Sequence, residues 1–381
     1  MQRRPLSDSE RRDWLRLART ENVGAITFRH LLQRYGNAAA ALGAIPELAA
    51  RGGKRALKLP AAGNIEDEIR KNEKIGARLI ASCEPDYPEA LAAIEDAPPI
   101  IALRGQVSLL HKRAIGIVGA RNASLNGRKL AENLARGLGA EGIVIASGLA
   151  RGIDAAAHRG SLASGTIAVL AGGVDRVYPE ENRALYDEIA EQGCILSDMP
   201  FGTEPRAQLF PRRNRLISGL SLGIVVVEAA QKSGSLITAR LALEQGREVF
   251  AVPGSPLDPR CSGTNDLIRQ GAVLTESAGD ILAHIHALPA RLAEPPADEI
   301  AAYAGPIDED ELATAREKVL ENLGPSPISI DELMRECQLS APLTLTILLE
   351  LELAGRIERQ AGHRVALIGK SLIENDNVDV A

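Results

Sequence analysis

The chain has 381 residues, more than one hydrophobic core usually organises, so we expect two or three domains. Hydrophobic residues make up 45% and charged residues 25%, which is typical of globular proteins, and no window approaches the ~20 apolar residues that a membrane helix needs. The net charge of −6 argues against a surface that binds nucleic acid everywhere, but it is compatible with a local basic patch.

Residues 1–80 form the first predicted domain, which is helical throughout. At its centre, Val23-Gly24 precedes an apolar-periodic helix that Tyr35-Gly36 ends. A helix, a Gly turn and a second helix resemble helix-hairpin-helix and SAM-like modules, whose turn offers backbone N–H groups to a phosphate. The motif is short and fits a small helical packing domain without a phosphate site equally well. Both interpretations, phosphate binding and packing alone, therefore stay open.

Residues 81–290 alternate apolar strands with amphipathic helices. Near-continuous Val/Ile runs of this kind predict an α/β fold, with a Rossmann-like parallel sheet covered by helices on both faces. Several strands end in small residues and Gly, where a doubly wound sheet collects its ligand-binding loops. The predicted strands are 114–119, 143–147, 166–172, 194–198, 222–229, 247–254 and 272–276.

Residues 308–369 have the element order of a winged-helix domain, three helices and then a hairpin around Gly362. Ser329 is the predicted N-cap of the second helix. The third helix holds the recognition position, yet it is rich in Leu and carries Glu350 and Glu352, which fit a major groove poorly. A protein contact is therefore at least as well supported as DNA binding. Residues 291–307 are predicted to be an acidic linker, and 370–381 a disordered tail.

The four cysteines are far apart and include no C-x-x-C pair. This spacing fits neither a disulfide framework nor a zinc site, so we predict no metal and no cofactor. The basic N-terminus has no apolar stretch behind it, which a signal peptide would need. We therefore expect a cytoplasmic protein without a membrane segment.

Two loops of the α/β domain combine a strand end with glycine and arginine. Gly119-Ala120-Arg121 ends one strand before a helix that starts at Ser124. Such a turn aims backbone N–H groups and a helix N-terminus at an anion, and Arg121 adds a forked donor. The second loop places Ser147, Gly148, Arg151 and Gly152 after another strand, with Asp154 predicted to cap the next helix. Neither loop has the G-x-G-x-x-G pattern of a dinucleotide site.

Two further segments add positive charge. Phe210-Pro211-Arg212-Arg213-Asn214-Arg215 interleaves arginines with one aromatic and one amide, as a surface that follows a backbone and stacks bases would. Lys232-Ser233-Gly234-Ser235 forms a polar turn at a helix start without the Walker spacing, so ATP hydrolysis has no support. Four such turns on one sheet favour a groove for consecutive phosphates, and separate pockets suit a single strand better than a duplex.

A hydrolytic alternative places Ser147, Asp154 and His158 in a triad. All three lie within twelve residues on one turn and helix, where Asp154 suits a cap better than the orientation of a base. We therefore predict no catalytic residues and no enzymatic activity.

The motifs together resemble the DprA/Smf DNA-processing family. The resemblance rests on YPEALAAIEDAPPIIALRG, IVGARNASLNG, SGLARGIDAAAHRG, FPRRNRLISGLS and SGSLITARLALEQGREVFAVPG, strongly over residues 85–276 and loosely over both terminal domains. It implies an extended Rossmann fold that binds single-stranded DNA, forms a homodimer and loads a RecA-type recombinase during natural transformation. The binding residues implied are Gly119, Arg121, Ser147, Gly148, Arg151, Gly152, Phe210, Arg212, Asn214, Arg215 and Lys232.

Ala120 departs from the family pattern, which has Ser or Thr at that position, so we expect slightly weaker phosphate binding. Two other functions remain as alternatives. A LOG-type nucleotide phosphoribohydrolase would need the P-G-G-x-G-T-x-x-E turn, whose glutamate is missing from the nearest strings here. A transcription factor would read DNA with the third winged-helix helix, whose composition argues against that role.

Overall fold

The computed structural model describes residues 3–53, 57–287, 309–360 and 362–368. The predicted linker at 291–307 and the predicted tail at 370–381 lie outside the described residues. The chain divides into two compact units, one made of residues 1–15 and 61–297 and the other of 16–60 and 298–381. Residues 61–80, which we predicted to belong with the N-terminal helices, are therefore part of the larger unit.

Fifteen α-helices and twelve strands occur in the described part of the chain. The helices are α1 Asp8–Ala18, α2 Ala25–Tyr35, α3 Ala38–Arg51, α4 Ala62–Lys74, α5 Glu89–Ala92, α6 Leu125–Ala140, α7 Ile153–Ser161, α8 Arg183–Gln192, α9 Leu209–Leu220, α10 Gly234–Glu244, α11 Ser262–Arg269, α12 Ala278–Ala287, α13 Glu309–Asn322, α14 Ile330–Cys337 and α15 Ala341–Leu353. The strands are β1 Ala77–Ala81, β2 Ile100–Gly105, β3 Ala114–Gly119, β4 Val144–Ser147, β5 Thr166–Val169, β6 Cys194–Ser197, β7 Gly223–Glu228, β8 Glu248–Ala251, β9 Val273–Leu274, β10 Ile328–Ser329, β11 Ile357–Gln360 and β12 Arg364–Leu367.

The larger unit is built on one sheet, whose described strands have the order β1-β2-β6-β5-β4-β3-β7-β8-β9. In the order of the sheet, the seven strands β6-β5-β4-β3-β7-β8-β9 are parallel. They are the seven strands that the sequence predicts. The chain runs outward from β3 to β6 and then returns to β7, on the other side of β3. A doubly wound sheet binds ligands where its strand order reverses, so the crevice beyond β3 and β7 is the expected site.

Alternate residues of the parallel strands pack on opposite faces of the sheet, which explains the near-continuous apolar runs. On one face, Val144, Ile224 and Val226 pack against Leu216 and Ile217 of α9. On the other, Ile145, Val225 and Val227 pack with Leu134 and Leu138 of α6 and Ile281 of α12. The fold is therefore α/β, as predicted.

The smaller unit joins α2 and α3 with the winged-helix elements α13, α14, α15 and the three-stranded sheet β10-β12-β11. As predicted, the Tyr35-Gly36 pair ends α2: Gly36 has φ +78°, and its N–H donates to Leu32 O. Ser329 takes the N-cap position of α14, as predicted, but its side chain makes no capping hydrogen bond. Within the described ranges, no helix is long and apolar enough to cross a membrane.

Candidate nucleic-acid interface

A cavity of about 600 Å³ lies at the switch point of the sheet. Its walls come from residues 118–122 at the end of β3, from α9 between 210 and 217, and from residues 230–238 around the turn between β7 and α10. β3 and β7 slip in register here: Gly116 lies opposite Ile224, whereas Gly119 lies opposite Glu228. Such irregularities re-aim the chain next to binding sites. We call this cavity the groove.

The groove has a positively charged mouth. Arg121, Lys232 and Arg260 line it and are exposed, and Arg260 is paired with Asp258 at 2.8 Å. Among the described lining residues, Asp154 is the single carboxylate, and it is buried at the base. The accessible surface of the groove therefore favours an anion.

The N-terminus of α10 also forms part of the wall. Ser233 is its N-cap, and Ser233, Gly234 and Ser235 all line the groove. The first N–H groups of a helix have no partner within the helix and attract negative charge. The Ser233 side chain accepts from Ser235 N, so that donor is already used, and a phosphate cradle formed by this turn and Lys232 stays a prediction.

An aromatic cluster lies at the same place. The Arg121 guanidinium carbon lies 5.2 Å from the centre of the Phe210 ring, and that of Arg213 lies 5.9 Å from it. The Tyr178 ring is tilted by 56° to Phe210, with 5.4 Å between the ring centres, and is 47% exposed. The groove therefore combines positive charge with the partly exposed rings of Tyr178 and Phe210. Tyr178 was not among the site residues predicted from the sequence.

The groove brings together five of the predicted site residues, Gly119, Arg121, Phe210, Asn214 and Lys232. Arg212 is exposed but does not line the groove. Arg151 projects from its turn, as predicted, but pairs with Glu181 at 3.3 Å, and both side chains are more than half exposed. Their contribution to binding stays a prediction.

Three predicted site residues shape the loops from inside. Ser147 is buried and donates its hydroxyl to Ile117 O at 2.6 Å, so it holds β4 to β3. A Cβ at Gly148 would lie 2.3 Å from Arg213 Nη1. Gly152 has φ +74°, and a Cβ there would lie 2.2 Å from Ala120 O. These residues permit a close approach of two loops and do not present donors to the groove.

The structure gives Arg215 a different role from the predicted phosphate contact. Its guanidinium is buried, with Nη2 2.6 Å from Asp198 Oδ2 and Nη1 3.4 Å from Asp96 Oδ2. Arg215 does not line the groove, and a charge already neutralised by two carboxylates has little left for a phosphate. We therefore remove Arg215 from the binding set.

The N-terminus of α6 holds a carboxylate of the protein itself. Ser124 starts the helix as predicted, and its side chain accepts from Gly127 N. The Glu228 carboxylate accepts from Ser124 N at 2.9 Å and from Ser124 Oγ at 2.6 Å, and Glu228 is buried. The prediction that this helix N-terminus binds an external anion is therefore wrong for this conformation, because Glu228 occupies the position.

The base of the groove is a buried charge network that the sequence analysis missed. Asp154 accepts from Gly148 N at 3.1 Å, so it reaches back to the loop before its own helix. Arg213 donates from Nη1 to Gly148 O at 2.6 Å and to Val169 O. Burial raises the pKa of Asp154, and the positive charge of Arg213 opposes that rise. Burial also lowers the pKa of Arg213 to about 10.

The proposed hydrolytic triad does not assemble. Ser147 donates to Ile117 O, Asp154 accepts from loop N–H groups, and His158 Nδ1 lies 2.7 Å from Thr166 Oγ1. Burial lowers the pKa of His158 to about 3. Each of the three side chains has its own partner, so no nucleophile is paired with a base.

Comparisons with known proteins cover all three parts of the chain. Residues 78–286 match the family model of DNA recombination-mediator protein A, residues 8–70 that of the DprA-like N-terminal HHH domain, and residues 304–363 that of the DprA winged helix domain. The chain is similar to Protein Smf of Escherichia coli, with 37% identity over 87% of this chain and 88% of the relative.

Two solved structures are similar as well. The X-ray structure of DNA processing protein A (DprA) from Streptococcus pneumoniae superposes with a TM-score of 0.61 at 32% identity, over 74% of this chain and 98% of the other. DNA processing protein A from Helicobacter pylori, whose structure was described for its single-stranded DNA binding mode, gives 0.51 at 29% identity, over 55% and 95%. The fold, the three matched domains and these relatives agree with the family resemblance of the motifs, and the chain belongs to the DNA recombination-mediator protein A (DprA/Smf) family.

Proposed function

We propose that the chain binds single-stranded DNA in the groove. The observation that carries this proposal is the coincidence of three features at the switch point of the sheet: the exposed cations Arg121 and Lys232, the N-terminus of α10, and the Tyr178–Phe210 ring pair. Proteins that bind single strands combine a positive groove for the backbone with aromatic rings on which bases stack. The binding of single-stranded DNA by the related Helicobacter pylori protein supports the same role here.

In this proposal, the phosphates lie against the exposed cations of the groove. The Lys232 ammonium, beside the positive N-terminus of α10, holds one phosphate, and Arg121 holds a neighbouring one. Glu228 blocks the other helix N-terminus of the switch point, so the backbone is directed along α10 and α9 and away from α6. A base then stacks on the exposed surface of Tyr178 and Phe210.

Binding to a labelled oligonucleotide tests this proposal. Fluorescence anisotropy with wild-type protein should give an affinity for a single strand at least about tenfold higher than for the same sequence as a duplex, because only unpaired bases reach the aromatic rings. Equal affinity for both forms would contradict the assignment.

We also propose that the chain assists a RecA-type recombinase, as a homodimer in the cytoplasm, during uptake and recombination of DNA. The family description, a DNA recombination-mediator protein, supports this role. The test measures recombinase assembly on oligonucleotides coated with single-strand-binding protein. The expected result is a shorter lag in the presence of the chain, and an unchanged lag would contradict the proposal.

Light scattering tests the homodimer and should give a mass of about twice the 40.5 kDa of one chain.

Binding without bond cleavage is the third part of the proposal. The separate partners of Ser147, Asp154 and His158 support it, since a hydrolytic site needs its nucleophile and base in contact. Incubation with end-labelled DNA and with nucleoside monophosphates should leave both substrates intact, and release of shortened DNA or free base would overturn this part.

A further inference from the structure

The third helix of the winged helix, α15, is buried on every side. Of its thirteen residues, ten are buried, although a helix that reads DNA must expose one face. Leu343, Ile347, Leu348 and Leu351 pack into the winged-helix core with α13 and α14. The remaining buried residues of the helix are Thr344, Leu345, Thr346, Leu349, Glu350 and Leu353.

The N-terminal helices lie against this second set of residues. Arg34 Nη1 of α2 donates to Thr346 Oγ1 at 3.3 Å. Gly52, which follows α3, lies so close that a Cβ there would be 2.1 Å from Glu350 O and 2.8 Å from Ala354 Cβ. Backbone-to-backbone approach of this kind requires glycine, so α3 and α15 meet in a specific fit.

The turn before α2 also faces the winged helix. Asn22, with φ +62°, donates from Nδ2 to Leu353 O at 3.0 Å. Gly355 has φ +69°, and a Cβ added there would lie 3.0 Å from Asn22 Nδ2. This is the turn that would offer N–H groups to a phosphate in a helix-hairpin-helix module, and here it contacts the end of α15.

The acidic residues of α15 are neutralised inside the same unit. Glu350 is fully buried, and its Oε2 lies 2.5 Å from Arg316 Nη2 of α13. Glu352 Oε2 lies 3.0 Å from Arg359 Nε of β11. Burial raises the pKa of Glu352, while the Arg359 charge and the Thr27 hydroxyl of α2 oppose that rise. Glu350 and Glu352 therefore serve internal packing.

We propose that α15 is an internal docking surface whose occupant is the chain's own segment 16–60, so that the helical hairpin turn and the recognition position of the winged helix cover each other and neither reads duplex DNA. This explains the composition that fits a major groove so poorly: apolar residues on all sides are needed when a helix packs on two partners at once. The same contacts place the N-terminal and C-terminal segments in one compact unit.

Hydrogen exchange on the full chain tests the docking with a matched pair of glycine variants. Gly52→Ala inserts a methyl group into the contact between the end of α3 and α15, whereas Gly43→Ala adds one inside α3 where nothing lies within 4 Å. We expect Gly52→Ala to accelerate exchange in both α3 and α15 by about tenfold or more, equivalent to ~1.4 kcal/mol of local opening. Gly43→Ala should leave α15 unchanged.

Unchanged exchange of α15 in Gly52→Ala would overturn the proposal. A second measurement keeps it testable if that variant fails to fold: wild-type exchange with and without a duplex of about 20 base pairs. The expected result is no change in α15 or in the turn at Asn22, and new protection at either place would show that it reads duplex DNA.

Discussion

Arg213→Ala is expected to lower the free energy of unfolding by about 3–5 kcal/mol, because it removes the partner of a buried charge. Arg213 is buried and donates to Gly148 O and Val169 O, so both carbonyls lose a charged donor when the side chain is removed. It also provides the positive charge that opposes the burial of Asp154. Since whole domains are stable by only about 5–15 kcal/mol, this loss is a large fraction of the total stability. Urea unfolding followed by circular dichroism measures the change.

The adjacent arginine is the control for this prediction. Arg212 is exposed and lies outside the groove, so Arg212→Ala should change the free energy of unfolding by no more than about 0.5 kcal/mol. Similar losses in both variants would contradict the structural role that we assign to Arg213.

Phe210→Ala is expected to weaken binding of single-stranded DNA by about 1–3 kcal/mol, or roughly 5- to 150-fold, which is the contribution of one stacked base. The ring contacts both Tyr178 and the Arg121 guanidinium. Removal of a neutral ring takes no positive charge from the groove, so the salt dependence of binding should not change. Anisotropy titrations at several salt concentrations separate the two effects.

Phe210→Trp is the matched variant, since it keeps a stacking surface. It should retain affinity within about threefold of wild type, well below the loss of a stacked base. If Phe210→Ala binds like wild type, or if Phe210→Trp loses as much as Phe210→Ala, the base does not stack on this ring.

The parallel part of the sheet could be predicted from sequence because its strands are buried on both faces and therefore read as continuous apolar runs. β1 was missed for the opposite reason, whereas β2, with the buried apolar run IIAL, was simply not selected as a strand. β1 is a short edge strand with Arg78 exposed, and it runs antiparallel to β2. Its sequence, ARLIA, follows directly on α4 and looks like a continuation of that helix.

The binding site was predicted less completely, because a sequence does not show whether an arginine is already neutralised. Arg212, Arg213 and Arg215 look equivalent, yet Arg212 is exposed while Arg213 and Arg215 are buried. The carboxylates that pair with Arg215 lie 17 and 119 residues away along the chain. Likewise, no local signal indicates that Glu228 fills the N-terminus of α6, since Ser124 is 104 residues away.

Gly148 and Gly152 were predicted to bind phosphate because glycine lets another group come close to the backbone. That group can equally be part of the protein itself. Gly148 and Gly152 do permit a close approach, but the neighbour is Arg213 or the backbone of the Ala120 turn. For α15, the Leu-rich pattern supported a protein contact at least as well as DNA binding, and the partner that we propose lies in the same unit of the same chain.

The central claim is that Arg121 contacts a phosphate of single-stranded DNA in the groove, and the salt dependence of binding tests it most directly. Each neutralised phosphate contributes a slope of about −0.7 to the plot of log K against log salt concentration. We predict that Arg121→Ala reduces the magnitude of the slope by ~0.7. Arg136→Ala, on α6 and already paired with Glu132, should not change it. An Arg121→Ala slope equal to that of wild type would contradict the account.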